Sequence, residues 1–305
     1  MSEYIIADWL VRIEFAQESS MDAASILPSV VPFRATGSTE GYEHLTTITV
    51  DYDLKPYQQD RRQHIRIFDT GNAHIAVDRL PDGGYQYVIH DMAKAKCALL
   101  IASADFSAVR CNLRGTEAMR RFGLNNAVML AYAFAGARHH TLLIHASLVR
   151  ADGIAYAFIA RSGTGKSTQT ANWLKVIPNS DLMNDDNPVI RIVNGQVIAY
   201  GSPWSGKTPC YRQTSAPLGA VTQISRAQDN HVERLTPLQA FAYLLPACST
   251  MKWERAIHGS VCDSISALIA AIPVYVLHCT PHPDSAVVCH EAVKKTENGK
   301  LKTER

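Results

Sequence analysis

The segment Ala160-Arg161-Ser162-Gly163-Thr164-Gly165-Lys166-Ser167 carries the residue types best suited to chemistry in this sequence. It begins where an apolar run, Ile154-Ala155-Tyr156-Ala157-Phe158-Ile159, gives way to a helical pattern. Its spacing follows the phosphate-binding pattern GxxxxGK[ST], with Ala160 in place of the first glycine. A small residue fits there if its φ is negative, and Gly163 and Gly165 remain. Nucleotide phosphates are held by backbone N–H groups at the mouth of a helix, where the dipole favours an anion. The expected ligand is a nucleoside triphosphate, ATP in the first instance. Ser162, Gly163, Thr164, Gly165, Lys166, Ser167 and Thr168 would surround its phosphates, Lys166 as the point charge and Ser167 as a ligand of Mg²⁺.

Phosphoryl transfer also needs carboxylates, one for Mg²⁺ and one to orient a nucleophile. Met183-Asn184-Asp185-Asp186-Asn187 supplies an adjacent pair just before the apolar run that contains Arg191. Further on, Tyr200-Gly201-Ser202-Pro203-Trp204-Ser205-Gly206-Lys207-Thr208-Pro209-Cys210-Tyr211-Arg212 is punctuated by glycine and proline and reads as a loop. Trp204, Lys207 and Arg212 in it, together with Arg191, are candidates for the substrate side.

Ile144-His145-Ala146-Ser147, the glycine loop, Asn184-Asp185-Asp186 and Ile190-Arg191 together resemble the catalytic domain of HPr kinase/phosphorylase. That family is related in fold to the ATP-dependent phosphoenolpyruvate carboxykinases. The resemblance implies a mixed-sheet α/β nucleotide-binding core in which a histidine-bearing strand precedes the loop and a double aspartate follows it. It further implies that Lys166 clamps the phosphates, that Ser167 and Asp185 hold Mg²⁺, and that Asp186 is the base towards an acceptor hydroxyl. His145 would stand beside the transferring group. A homo-oligomer is also in keeping with that family.

The leading expectation is therefore an ATP- and Mg²⁺-dependent kinase whose acceptor is a hydroxyl or carboxylate on a peptide, protein or small molecule. Two alternatives stay open: a non-catalytic ATP-binding regulatory module, and a carboxykinase-type enzyme acting on a small acid. The second glycine-rich signature of the HPr kinases is not evident downstream, nor are the extra metal ligands of the carboxykinases.

The surrounding elements must position these groups. The chain has 305 residues, 47% hydrophobic and 19% charged, with a formal net charge of +2. Such a composition supports an ordinary core. Near-neutral charge gives no reason to expect nucleic acid or an anionic membrane as partner. No apolar run is long enough to span a bilayer, and the N-terminus reads as a strand rather than a signal peptide. Seven scattered cysteines without a CxxC pair suit reduced thiols, so a cytoplasmic location is expected.

The first part of the chain, 1–122, reads as mostly antiparallel β of meander type. Strands are expected over 4–11, 45–50, 64–68, 73–79, 85–90 and 97–102, with Pro81-Asp82-Gly83-Gly84 as a hairpin turn. From 123 to 293 the pattern is α/β, with helices over 126–138, 166–174, 237–245 and 263–272 and strands over 142–144, 154–159, 189–193, 196–200 and 274–278. The charged stretch 294–305 reads as a frayed tail. His278, His282 and His290 lack ligand spacing and are expected to have structural roles only.

Overall fold

The computed structural model describes residues 1–18, 20–161, 163–206 and 208–303, with side chains described as far as Lys294. Of the candidates above, Ser162 and Lys207 lie outside the described residues. The chain divides into two compact units, Met1–Gly136 and Ala137–Arg305.

The first unit holds one eight-stranded sheet. Its strands are β1 (Ser2–Ile6), β2 (Trp9–Phe15), β3 (His44–Val50), β4 (Gln63–Asp69), β5 (His74–Arg79), β6 (Tyr85–His90), β7 (Lys96–Ala102) and β8 (Ala108–Leu113). A short helix α1 (Ala23–Ile26) lies between β2 and β3, and α2 (Glu117–Ala137) follows β8. The single strand expected over 4–11 is instead a hairpin, because Ala7 and Asp8 turn the chain with φ of 48° and 61°. Two successive positive φ values make the tight turn whose twist matches paired strands, and no glycine marks it in the sequence.

Strands β4 to β8 form the expected antiparallel meander. The whole sheet is not one, however: β3 lies between β2 and β8 and runs parallel to both. The long connection from β2 through α1 gives the chain room to return in the same direction. Helix α2 starts nine residues earlier than 126 (117 against 126). It covers the sheet through Phe134, whose ring meets Phe106 edge-on at 5.0 Å, and through Tyr132, whose hydroxyl donates to the Ile6 carbonyl at 3.1 Å.

The second unit is α/β with a mixed sheet, as expected. Its strands are β9 (Thr141–Leu143), β10 (Ala146–Ala151), β11 (Ile154–Ile159), β12 (Ser180–Asn184), β13 (Val189–Val193), β14 (Gln196–Tyr200), β15 (Ser215–Arg226), β16 (His231–Arg234) and β17 (Val274–Cys279). The helices are α3 (Lys166–Val176), α4 (Pro237–Ala247), α5 (Arg255–Ala271) and α6 (Asp284–Thr303). Helix α6 runs through most of the stretch expected to fray, and residues 304–305 lie outside the described residues.

Strand β15 organises this sheet. It pairs parallel with β11 and β17 and antiparallel, near its start, with β14. Helices α3 and α6 cover one face, where Trp173 packs on Tyr156 and Phe158 within a core that also contains Leu277 and Cys289. His290 closes this core edge-on against Trp173 at 5.3 Å, and His278 stacks on His231 at 4.6 Å.

Candidate functional site

Strand β11 delivers the chain to the glycine loop, and α3 begins at Lys166. Gly163 and Gly165 have φ of 76° and 131°, a backbone that side chains with a Cβ rarely adopt. Gly165 is the residue that caps α3, so the first amides of that helix open onto the loop. The loop is held from outside itself: Arg226, at the end of β15, donates to the carbonyls of Gly163 and Thr164. Sixty-two residues separate Arg226 from Thr164, and no local pattern announces the contact.

Strands β9 and β10 are joined through Ile144 and His145, and β12 runs into Asp185 and Asp186. The two segments are clipped together: the Ile144 amide donates to Pro188 at 3.2 Å and the Ala146 amide to Asp186 at 2.9 Å. This backbone pairing brings His145 to Asp186, with Nδ1 of the ring 3.1 Å from Oδ1 of the carboxylate. With Nδ1–H donating there, Nε2 presents its lone pair, and the Lys166 ammonium donates to it. Three of the expected catalytic residues are thus joined in one chain of hydrogen bonds. Burial pushes the Lys166 ammonium below its usual value, while the charges of Asp186 and Asp185 pull the other way.

Asp185 is 8% exposed. Among the described residues its Oδ1 accepts from the Ser147 hydroxyl at 3.1 Å and its Oδ2 from the Thr208 amide at 3.4 Å. An ionised carboxylate can accept about four hydrogen bonds, so this one retains capacity for a cation. Ser167 and Thr168 are exposed on the first turn of α3.

Residues 201–206 are fastened against the segment that carries the two aspartates. Asn184, fully buried, donates to the Ser202 hydroxyl at 3.1 Å and the Trp204 carbonyl at 3.0 Å. Ser202 in turn donates to the Asn187 carbonyl at 2.6 Å. A Cβ at Gly206 would come within 2.8 Å of the Asp185 carbonyl, so only glycine lets the segment pass so closely. Trp204 itself is buried, 3% exposed, and packs under the segment.

Arg212 is paired along β12, where its guanidinium also donates to the Leu182 carbonyl. It donates to Asp181, as does Arg150 in two bonds of 2.9 Å. Burial works against ionisation of Asp181, yet the two arginines outweigh it and hold the carboxyl below its usual range. Arg191 sits on β13 opposite Thr141 and Ile198.

Beside this cluster lies a cavity of about 830 Å³. His145, Gly163 and Thr164 border it, Gln223 and Arg226 come from β15, and Tyr243 from α4. A second cavity of about 410 Å³ lies against Gly165, Thr168, Gln169 and Thr280. Both meet at the glycine loop, since Gly163 and Thr164 border each. Ser147, Asn184, Ser202 and Arg226 support this arrangement and were given no role from sequence. Ser147, Asn184 and Ser202 had a signal, by lying inside the segments that carry His145, the aspartates and Trp204; Arg226 had none.

Residues 109–283 match the family described as SynChlorMet cassette protein ScmC, and the chain belongs to that family. No curated protein matches the sequence. Among solved structures, the chain is similar to the Hpr(Ser) kinase/phosphatase from Coxiella burnetii. The likeness covers 52% of this chain and 91% of that one, at 11% identity and a TM-score of 0.30. Among the described residues, no helix is long and apolar enough to cross a membrane.

Proposed function

We propose that this chain is a Mg²⁺- and ATP-dependent kinase, with a phosphate-binding loop at 160–168, that passes the γ-phosphoryl group to an acceptor hydroxyl or carboxylate. The observation that carries this reading is the meeting of Lys166, His145 and Asp186, with His145 on the wall of the larger cavity, beside a glycine loop that opens a helix. A plain nucleotide-binding module would need the loop and the lysine, but not an imidazole held by a carboxylate.

The residues fit the parts that phosphoryl transfer requires. The amides at the start of α3 and the Lys166 ammonium would take the phosphates. Ser167 and the under-occupied Asp185 would hold Mg²⁺, whose charge would offset that of the phosphates. Once Lys166 turns to the phosphates, the Nε2 lone pair of His145 is released.

The proton acceptor in this scheme is His145. Oδ1 of Asp186 faces its Nδ1, and Oδ2 accepts from the Asn187 side-chain amide. Asp186 therefore fixes the tautomer and steadies the imidazolium that forms. As the acceptor oxygen bonds to phosphorus, the bond to the ADP oxygen breaks. The hydroxyl proton goes to Nε2 of His145. Such a base contributes about 10²–10⁴-fold, and the rest must come from positioning and charge neutralisation.

The test is to incubate the protein with Mg²⁺ and γ-labelled ATP in the presence of a cell extract, with Lys166→Ala and Asp186→Asn as controls. Movement of label to a discrete acceptor, lost in both variants, is the expected result. Tight ATP binding with no label moving anywhere would give the site to a regulatory module instead.

A further inference from the structure

Helix α4 has the sequence PLQAFAYLLPA, with Gln239 as its one strongly polar residue, yet only Ala240 and Leu244 of it are buried. Leu238 is 81% exposed and Tyr243 44%. A helix apolar on most sides is normally enclosed by its own domain, and an exposed apolar patch commonly marks a binding surface. Here Leu238, Ala242 and Pro246 recur every four residues and form one stripe along the helix. Ala242 and Pro246 line the larger cavity, while Leu238 lies on the same stripe beyond it.

This helix is preformed and tied to the chemistry. Thr236 and Gln239 close a capping box at its start, with Pro237 in the first turn, and α5 packs against it. At its other end, the His145 amide donates to the Ala247 carbonyl at 2.7 Å and the Ser249 amide to Leu143 at 2.9 Å. Ile144 and Cys248 form a β-bridge between those two bonds. A ligand lying along α4 is therefore led to His145 by the backbone itself.

Resting on the kinase reading above, we infer that the acceptor is a hydroxyl-bearing peptide segment flanked by apolar residues, which lies along the Leu238–Ala242–Pro246 stripe with its hydroxyl in the cavity. The stripe extends for about 12 Å at 1.5 Å per residue, and it continues past the cavity wall. A small metabolite held at His145 would leave Leu238 in water. An extended peptide covers both, with the hydroxyl residue in the cavity and its apolar neighbours on the helix. A second copy of the chain on the same stripe would instead shut the cavity that an acceptor has to enter.

The probes are two synthetic peptide pools, each with one central serine and lysine ends for solubility. In one pool the flanking positions are drawn from Leu, Val, Ile and Phe, in the other from Gly, Asn and Gln. Binding of fluorescein-labelled pools is followed by anisotropy, transfer from γ-labelled ATP by label on the peptide, and self-association by light scattering. The apolar pool should bind and accept label at least tenfold better. Leu238→Lys should remove most of that preference by raising KM while leaving kcat and ATP affinity in place, and Leu238→Met should restore it.

Equal treatment of the two pools, or binding of the apolar pool that Leu238→Lys leaves unchanged, overturns the inference. A concentration-dependent dimer that Leu238→Lys converts to monomer also overturns it, by giving the stripe to a second copy. Leu238-dependent peptide binding without any label transfer keeps the peptide site and removes the kinase reading.

Discussion

Both units bury aspartates, but they treat them differently. In the first unit Asp78, 3% exposed, is enclosed by Arg62, by His64 at 2.9 Å and by Gln86 at 3.2 Å. Asp51 is held by Gln17 at 2.7 Å and by Arg110. Each carboxylate there answers a cation and an amide of its own unit. In the second unit, Asp185 accepts two hydrogen bonds among the described residues, one as long as 3.4 Å, and Asp186 spends one oxygen on a half-exposed histidine. A saturated carboxylate holds a fold together. An under-occupied one, next to a half-buried lysine and an open cavity, is arranged for something that arrives later.

The largest effect should come from breaking the second arrangement. Lys166→Ala removes the ammonium that donates to His145 and should cost phosphoryl transfer about 10²–10³-fold or more, with ATP affinity falling as well. Arg110→Ala, the matching loss beside Asp51, should lower the melting temperature and leave transfer per folded molecule intact. Equal loss of transfer from both substitutions would erase the distinction between the units.

Next in size are His145→Asn and Asp186→Asn, each expected to lower kcat by about 10²–10⁴-fold. The double variant should be little worse than the poorer single one, because one residue acts through the other. Strictly multiplicative losses in steady-state kinetics would mean that Asp186 works on the acceptor directly.

How far the sequence shows this difference depends on how local each contact is. The loop residues Gly163 to Ser167, with the preceding apolar run, could be read because strand, turn and helix start are neighbours in the chain. His145 and Asp186 could be named, but not their partnership, which rests on the amides of Ile144 and Ala146 reaching Pro188 and Asp186. Strand β15 carries no comparable local signal. Pro217 and Gly219 interrupt it where its pairing passes from β14 to β17, and both read as breakers. With β15 went Gln223 and Arg226 of the cavity wall. The parallel placement of β3 was equally hidden, because register between distant strands leaves no local trace. For Arg212 the charge is visible in the sequence, but its partner Asp181 is not.

A smaller effect should separate support from chemistry inside the second unit. Asn184→Ala strips the buried hydrogen bonds to Ser202 and Trp204, leaving polar atoms unpaired at about 1–3 kcal/mol. Urea unfolding should show that loss. Transfer should fall through a higher KM for the acceptor, as the segment 201–212 loosens, with kcat unmoved. A change confined to kcat would make Asn184 part of the reacting arrangement.

The smallest effect tests the first unit, at the turn between β7 and β8. Burial there works against ionisation of Asp105, but hydrogen bonds from Ser103 at 2.7 Å and from the Ser107 amide and hydroxyl at 3.1 Å and 2.8 Å outweigh it. The carboxyl is thereby lowered from 3.8 to about 2. A carboxyl whose value is lower in the fold than in the unfolded chain stabilises the ionised fold. That contribution is complete above the unfolded value and disappears as pH falls through the folded one. Asp105→Asn should therefore flatten the decline in urea midpoint between roughly pH 4 and pH 2, while transfer at neutral pH stays as it was. An acid limb that keeps its full slope would place the sensitivity with other carboxylates of the sheet, Asp51 first, whose hydrogen bonds from Gln17 and Arg110 lower it in the same direction.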